Sequence, residues 1–126
     1  MGILTSMFTA VTGLSSYGNA MGVIGNNIAN VGTAGFKSSR ATFSDLISSS
    51  MAGGAGSDQI GLGVYLNDVQ TNFSQGSMTT TGNTFDLAID GNGFYQVRNA
   101  SGSVFYTRAG QFKVDSVGRV VDASGA

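Results

Sequence analysis

The chain has 126 residues with no cysteine, no histidine, 10% charged residues and a formal net charge of −1. Disulfides and thiolate metal sites are therefore excluded, the usual general base is missing, and no basic footprint is offered to nucleic acid or to an anionic membrane. Glycine is high at 20 and proline is absent. A freely soluble monomer usually protects itself with charge, so this shortage points to surface that is buried against copies of the same chain.

No Asp, Glu, Lys or Arg precedes Lys37. Stepping alternately by four and three residues from Ile3 gives Met7, Ala10, Leu14, Tyr17, Met21, Ile24 and Ile28, all apolar or aromatic. That spacing predicts the a/d seam of a coiled-coil-like helix about 38 Å long, widened by Leu4 and Val11. Thr5, Ser6, Thr9, Thr12, Ser15, Ser16 and Asn19 interrupt the run, whereas a membrane span needs about 18 consecutive apolar residues. The basic region that opens a Sec signal peptide is also missing, so export would use another route. The helix could lie on an ordinary core of its own chain. Its uncharged outer face and Gly18, Gly22 and Gly25, which let another backbone approach at about 1 kcal/mol each in helix propensity, favour cover by other chains. Burying the large seam side chains would contribute on the order of 10 kcal/mol as an upper figure. The uncovered helix is expected to be largely unfolded.

The stretch "IGNNIANVGTAGFK", from Ile24 to Lys37, closes this segment, with Asn30, Gly32 and Gly35 as candidates for a helix cap and the turn beyond it. Phe36, Phe43, Leu46 and Ile47 are expected to form a second apolar cluster, with Lys37, Arg40 and Asp45 in water. "SSSMAGGAGSDQ", Ser48 to Gln59, has the composition of a mobile linker. From Gly61 the period becomes two: Val64 and Leu66 alternate, then Val69, Thr71 and Phe73. Short runs follow at Phe85 to Ile89, Gly93 to Val97, Ser103 to Thr107, Gln111 to Asp115 and from Arg119. The turn sequences "DGNG", "NASG", "RAG" and "DSVG" separate them, which predicts an antiparallel meander. The meander breaks off at "VVDASGA" without closing, as a piece of a longer domain would. The expected fold is α+β: a long N-terminal helix (1–30), an extended connecting region (31–75), and the start of a small antiparallel β domain (76–126).

Chemical motifs do not survive inspection. "GTAGFK" fails the phosphate-loop pattern and follows no strand. "GLGV" at Gly61 lacks the third glycine of a dinucleotide fingerprint. "DGNG" lacks the alternating ligands and distal Glu of a calcium loop. Asp86 and Asp90 fall on one face of a strand, where solvated edge residues are the better reading. "NFS" at Asn72 and "NAS" at Asn99 fit a glycosylation sequon that is common by chance. No base is at hand to activate a Ser or Thr. No catalytic residue, cofactor, metal, nucleic-acid partner or small-molecule substrate can be nominated.

A charge-poor seam running into "IGNNIANVGTAGFKSSRATFSDL" resembles the rod/hook family of bacterial flagellar axial proteins. The motif is carried by Ala29, Asn30, Thr33, Gly35, Phe36 and Lys37. "FSQGSMTTTGNTFDLAIDGNGFYQV" and "SVFYTRAGQFKVD" are similar to the region that follows in its hook and distal-rod members. The short segment between Ile47 and Gly61 favours a hook subunit over the distal-rod alternative; a non-flagellar adhesion module on a coiled-coil stalk is the reading from another class. The resemblance implies a self-assembling, curved tube that transmits torque from rod to filament. It also implies an N-terminal helix that lines the tube and pairs with a C-terminal helix, and an outer β domain. Export would run through the flagellar type III apparatus without a cleaved signal. The implied partners are further copies, rod and hook–filament junction proteins, and the hook cap.

Overall fold

A computed structural model of the chain describes residues 2–50 and 59–126. They fall into two compact units, Met1–Ala29 with Ser38–Asn72, and Asn30–Lys37 with Phe73–Ala126. The fold is α+β, one long N-terminal helix followed by small antiparallel sheets.

In the first unit, helix α1 (Ile3–Ala29) packs on a hairpin of β1 (Ser39–Asp45) and β4 (Val64–Thr71). Two short strands, β2 (Ser49–Ser50) and β3 (Gln59–Ile60), pair antiparallel at the far end of that hairpin. The β1–β4 register runs from Ser39↔Thr71 to Asp45↔Val64 and slips between Thr42 and Phe43, where Asn67 has no opposite number. Such a bulge bends and twists a ladder. Strand β1 lies within the region expected as an extended connection (31–75). "SRATFSD" alternates too weakly to announce itself, and it becomes a strand because "VYLNDVQT" supplies a partner. Phe43, expected to cluster with Phe36, Leu46 and Ile47, meets Tyr17 of α1, with ring centroids 5.2 Å apart. Ile47 is exposed. The linker expectation falls mainly on 51–58, outside the described residues; the flanks of that segment are paired.

The second unit has two more hairpins, β5 (Tyr95–Arg98) with β6 (Val104–Thr107) and β7 (Lys113–Val114) with β8 (Val120–Val121). The turn sequences "NASG" and "DSVG" close them, with Gly102 and Gly118 at positive φ, a conformation glycine adopts at little cost. The expected single meander is instead a set of separate two-stranded ladders. "FDLAI" is not a strand. It touches the following segment through the bridge Asp86↔Gln111 and the bonds Leu87 N–H to Gly110 O (2.8 Å) and Phe112 N–H to Phe85 O (3.3 Å). Backbones approach so closely there that a side chain at Gly110 would run into the Leu87 carbonyl. Tyr95 and Phe112 pack edge to face at 5.1 Å, as do Phe73 and Phe94 at 6.3 Å.

Candidate functional site

Helix α1 is oriented against its own polarity. The residues it turns toward the hairpin are Thr9, Thr12, Gly13, Ser16, Ala20, Val23 and Asn27, spaced three and four apart like the seam but displaced around the helix. Ser16 and Ala20 are the buried residues of α1, 5% and 7% exposed. The seam faces away. Ile3, Met7, Ala10, Leu14, Tyr17, Met21, Ile24 and Ile28 are all exposed, Leu14 at 77%. Leu4, Phe8 and Val11 are exposed as well. Contiguous exposed apolar surface of this kind is what interaction sites typically present.

Beside the Tyr17–Phe43 ring contact, hydrogen bonds fix α1 on the hairpin. Val64 donates its N–H to the Thr12 hydroxyl at 3.3 Å, and that hydroxyl donates to the Thr9 carbonyl at 2.7 Å. The Ser16 hydroxyl donates to the Val64 carbonyl at 3.1 Å. Two helix hydroxyls therefore satisfy both backbone groups of Val64, at the outer edge of β4, where no neighbouring strand does so. At the other end Asn27 does the same for Ser39. Gly63, at φ 123°, lies so close to Thr12 that a side chain there would run into the hydroxyl. Sequence reasoning singled out the seam and passed over this polar stripe. The signal that could have found it is the second three-and-four spacing of small and hydrogen-bonding residues.

The motif after the helix has a different role. Ala29 is the last residue of α1. In the second unit, Thr33 donates its N–H to Asn30 O (3.0 Å) and its hydroxyl to Asn30 Oδ1 (3.1 Å), and Phe36 N–H reaches Thr33 O (3.2 Å). Gly35 sits at φ 75°, where a Cβ would lie 2.6 Å from the Arg108 carbonyl carbon and 2.7 Å from its oxygen. Phe36 is half-buried, and Lys37 Nζ donates to Ser74 O at 2.8 Å. The motif is thus brought together as a tight double turn pressed on the backbone of "TRAG".

Arg108, read from sequence as a turn residue, is the organiser of that region. Its guanidinium donates to the carbonyls of Gly91 and Gly93, to Ile89 O at 3.3 Å and to Gln75 Oε1 at 2.9 Å. Planar, multiple donors suit a cluster of carbonyls in a way that a lysine would not. Asp86 accepts from the Thr81 hydroxyl (2.6 Å) and the Asn83 amide (3.2 Å), so it ties a turn. No helix of the described residues is long and apolar enough to cross a membrane, and no group of metal-binding side chains occurs among them.

The comparisons agree with this geometry. Residues 7–37 match the family described as flagella basal body rod protein, and residues 88–126 match the flagellar hook protein FlgE/F/G D1 domain. The chain is 41% identical over 132 residues to the flagellar basal-body rod protein FlgG of Bacillus subtilis, covering 98% of this chain and 50% of that protein. It is 39% identical over 129 residues to the flagellar hook protein FlgE of Treponema pallidum (95% of this chain, 28% of that one). Against FlgE of Salmonella typhimurium it is 42% identical over 120 residues, again covering 95% and 28%. The chain thus spans half the length of that rod protein and under a third of these hook proteins. With a rod-protein match across the helix and its motif, and a hook/rod D1 match across the last hairpins, the chain belongs to the flagellar rod and hook protein family.

Proposed function

We propose that the chain is an axial subunit of the flagellum, and within that reading a subunit of the hook, which polymerises through the α1 seam into a curved tube that passes torque from rod to filament. The observation that carries the reading is the inversion of α1. Its small polar face is used within the chain, and its large apolar side chains are left for other molecules. Burial is non-directional, so a seam of Ile, Leu and Met tolerates small displacements between subunits better than fixed ion pairs would. Among the described residues a single ion pair, Arg119–Asp115, is present, at 3.4 Å in the outer hairpin. The segments 1–30, 31–75 and 76–126 would serve as inner wall, connecting layer and start of the outer domain. Partners would be other copies, the rod and hook–filament junction proteins, the hook cap and the type III export apparatus.

Substituting Met21→Asp puts a charge in the middle of the seam. Polymerisation should be lost while the hairpins keep their fold. Normal tubes of this variant in electron micrographs would sink the proposal. A straight distal-rod subunit is the second reading, favoured by the 41% identity to a rod protein over half of that protein's length. Curvature of the assembled polymer separates the two.

A further inference from the structure

Helix α1 carries a second seam, one residue on from the first. Alternate steps of four and three from Leu4 give Phe8, Val11 and Ser15, and then Gly18, Gly22, Gly25 and Ala29. An offset of one residue is about 100° of rotation, so this seam lies on a different face from Ile3 to Ile28. It is also distinct from the polar face that meets the hairpin, and all of its residues are exposed. A side chain built at Gly18, Gly22 or Gly25 would meet nothing within 4 Å. The hairpin does not cover this side: a groove of about 600 Å³ lies open there, with Phe8, Val11 and Ser15 on its helix wall and Tyr65 and Leu66 on its strand wall.

The order of sizes along the seam selects a partner. Large side chains occupy its N-terminal half, and glycine and alanine its C-terminal half. Laid parallel and in register on a copy of itself, it would set Phe8 against Phe8 at one end and glycine against glycine at the other. Laid antiparallel, Leu4 faces Ala29, Phe8 faces Gly25, Val11 faces Gly22 and Ser15 faces Gly18. Each layer then holds one larger and one smaller residue, as a knob and its hole require. The two-fold axis of this arrangement crosses between Ser16 and Tyr17, at the middle of Ile3–Ala29, so the full length of the helix is used.

We propose that this second seam binds a second copy of the chain, α1 against α1, antiparallel about that axis. The contact is isologous and closes at two copies. Leu4, Phe8 and Val11 of both chains leave water together, and the glycines let the two backbones approach closely. Such a pair is not a step of tube growth. Subunits joined by head-to-tail contacts share one direction, whereas a closed antiparallel dimer has none. The pair is therefore a form of the chain outside the polymer, in which one apolar face of α1 is covered while the first seam stays open.

The test uses the full chain carrying Ile24→Asp, which disables the first seam at an exposed position. The outcome is then the same whether or not the first seam builds a polymer. Sedimentation equilibrium should show association that stops at two copies. The chain has no cysteine, so single substitutions report direction. Chains with Leu4→Cys mixed with chains carrying Ala29→Cys should form the mixed disulfide. Leu4→Cys alone should not link, because its two copies stand about 37 Å apart in the antiparallel pair. Gly22→Val sets a side chain against Val11 of the other copy without touching its own chain. It should weaken the dimer at least about tenfold, since the overfilled layer occurs twice. Adding Val11→Ala exchanges the sizes in that layer and should recover most of the loss. A chain that stays monomeric throughout the concentration series overturns the proposal. So does self-linking of Leu4→Cys, association that grows past two copies, or a Gly22→Val dimer as tight as its parent.

Discussion

Asn27 and Ser39 exchange two hydrogen bonds, the Asn27 amide donating to the Ser39 carbonyl at 2.6 Å and the Ser39 N–H donating to Oδ1 at 2.9 Å. A side-chain carboxamide has the donor and acceptor of a peptide group, so Asn27 stands where a neighbouring strand would. It satisfies the outer edge of β1 and pins the end of a 27-residue helix in the same act. Asn27→Ala leaves both Ser39 groups without their partner, and Asn27→Asp keeps an acceptor but sets a carboxylate against a carbonyl. Each should cost about 1–3 kcal/mol, with Asp at least as damaging as Ala. Urea unfolding followed by helix ellipticity reads the loss, and unchanged midpoints for both variants would remove Asn27 from this role.

Gly35 owes its place in the motif to two constraints at once, the left-handed backbone and the Arg108 peptide at 2.6–2.8 Å from where a Cβ would stand. Gly118 shares the first constraint only, at φ 82° with open space around it. Gly118→Ala should therefore cost about 1–2 kcal/mol. Gly35→Ala should cost clearly more, because backbone must shift as well, and its damage should be felt in the second unit. Thermal unfolding of the two variants, with amide exchange around 105–112, separates them. Equal effects would mean that the close approach to Arg108 carries no weight.

The contrast between these residues explains what the sequence could disclose. The helix was legible because eight apolar residues keep a strict step through an uncharged segment, and the later hairpins were legible from their turn sequences. In the hairpin under the helix β4 was legible from its alternation but β1 was not, because "SRATFSD" alternates only weakly and owes its strand state to β4 and to the Asn27 amide. "FDLAI" misled in the opposite direction: its alternation suggests a strand, yet close backbone crossing at Gly110 and the Asp86 turn hold it in an irregular path. Thr12, Ser16 and Arg108 act on backbone atoms far away in sequence. Local pattern does not register a bond of that kind.

Two carboxylates at the β7–β8 end respond to acid. The Ser116 backbone N–H, then the Arg119 guanidinium and the Ser116 hydroxyl, hold Asp115 below the usual carboxylate range. Asp122 is lowered likewise, first by the Ser124 hydroxyl and then by the Ala126 N–H. A depressed folded-state pKa gives a stabilising contribution that is present above the unfolded-state value and is lost as pH falls through the folded one. Turns 115–119 and 122–126 should therefore loosen only on acidification below the ordinary carboxylate titration, while the α1 contact, which contains no ionisable group at Thr12, Ser16 or Asn27, should not respond. Carboxyl and amide chemical shifts across a pH titration would show this, and Arg119→Ala should raise the Asp115 midpoint.

The inverted helix makes the sharpest demand on folding experiments. In an ordinary amphipathic helix, Leu14→Asp and Ile24→Asp would be ruinous and a change at a small residue between them mild. Here Leu14 is 77% exposed and Ala20 is 7% exposed, so the order should reverse. In dilute chain, Leu14→Asp should stay within about 0.5 kcal/mol of the parent, as surface substitutions do. Ala20→Asp forces an unpaired charge into the contact with the hairpin and should cost several times that, about 2–4 kcal/mol. Chemical denaturation at low concentration supplies both values. If Leu14→Asp proves the more damaging of the two before any association occurs, the seam is being covered within the chain, and the reading of α1 as a helix that serves its own fold with its polar side fails.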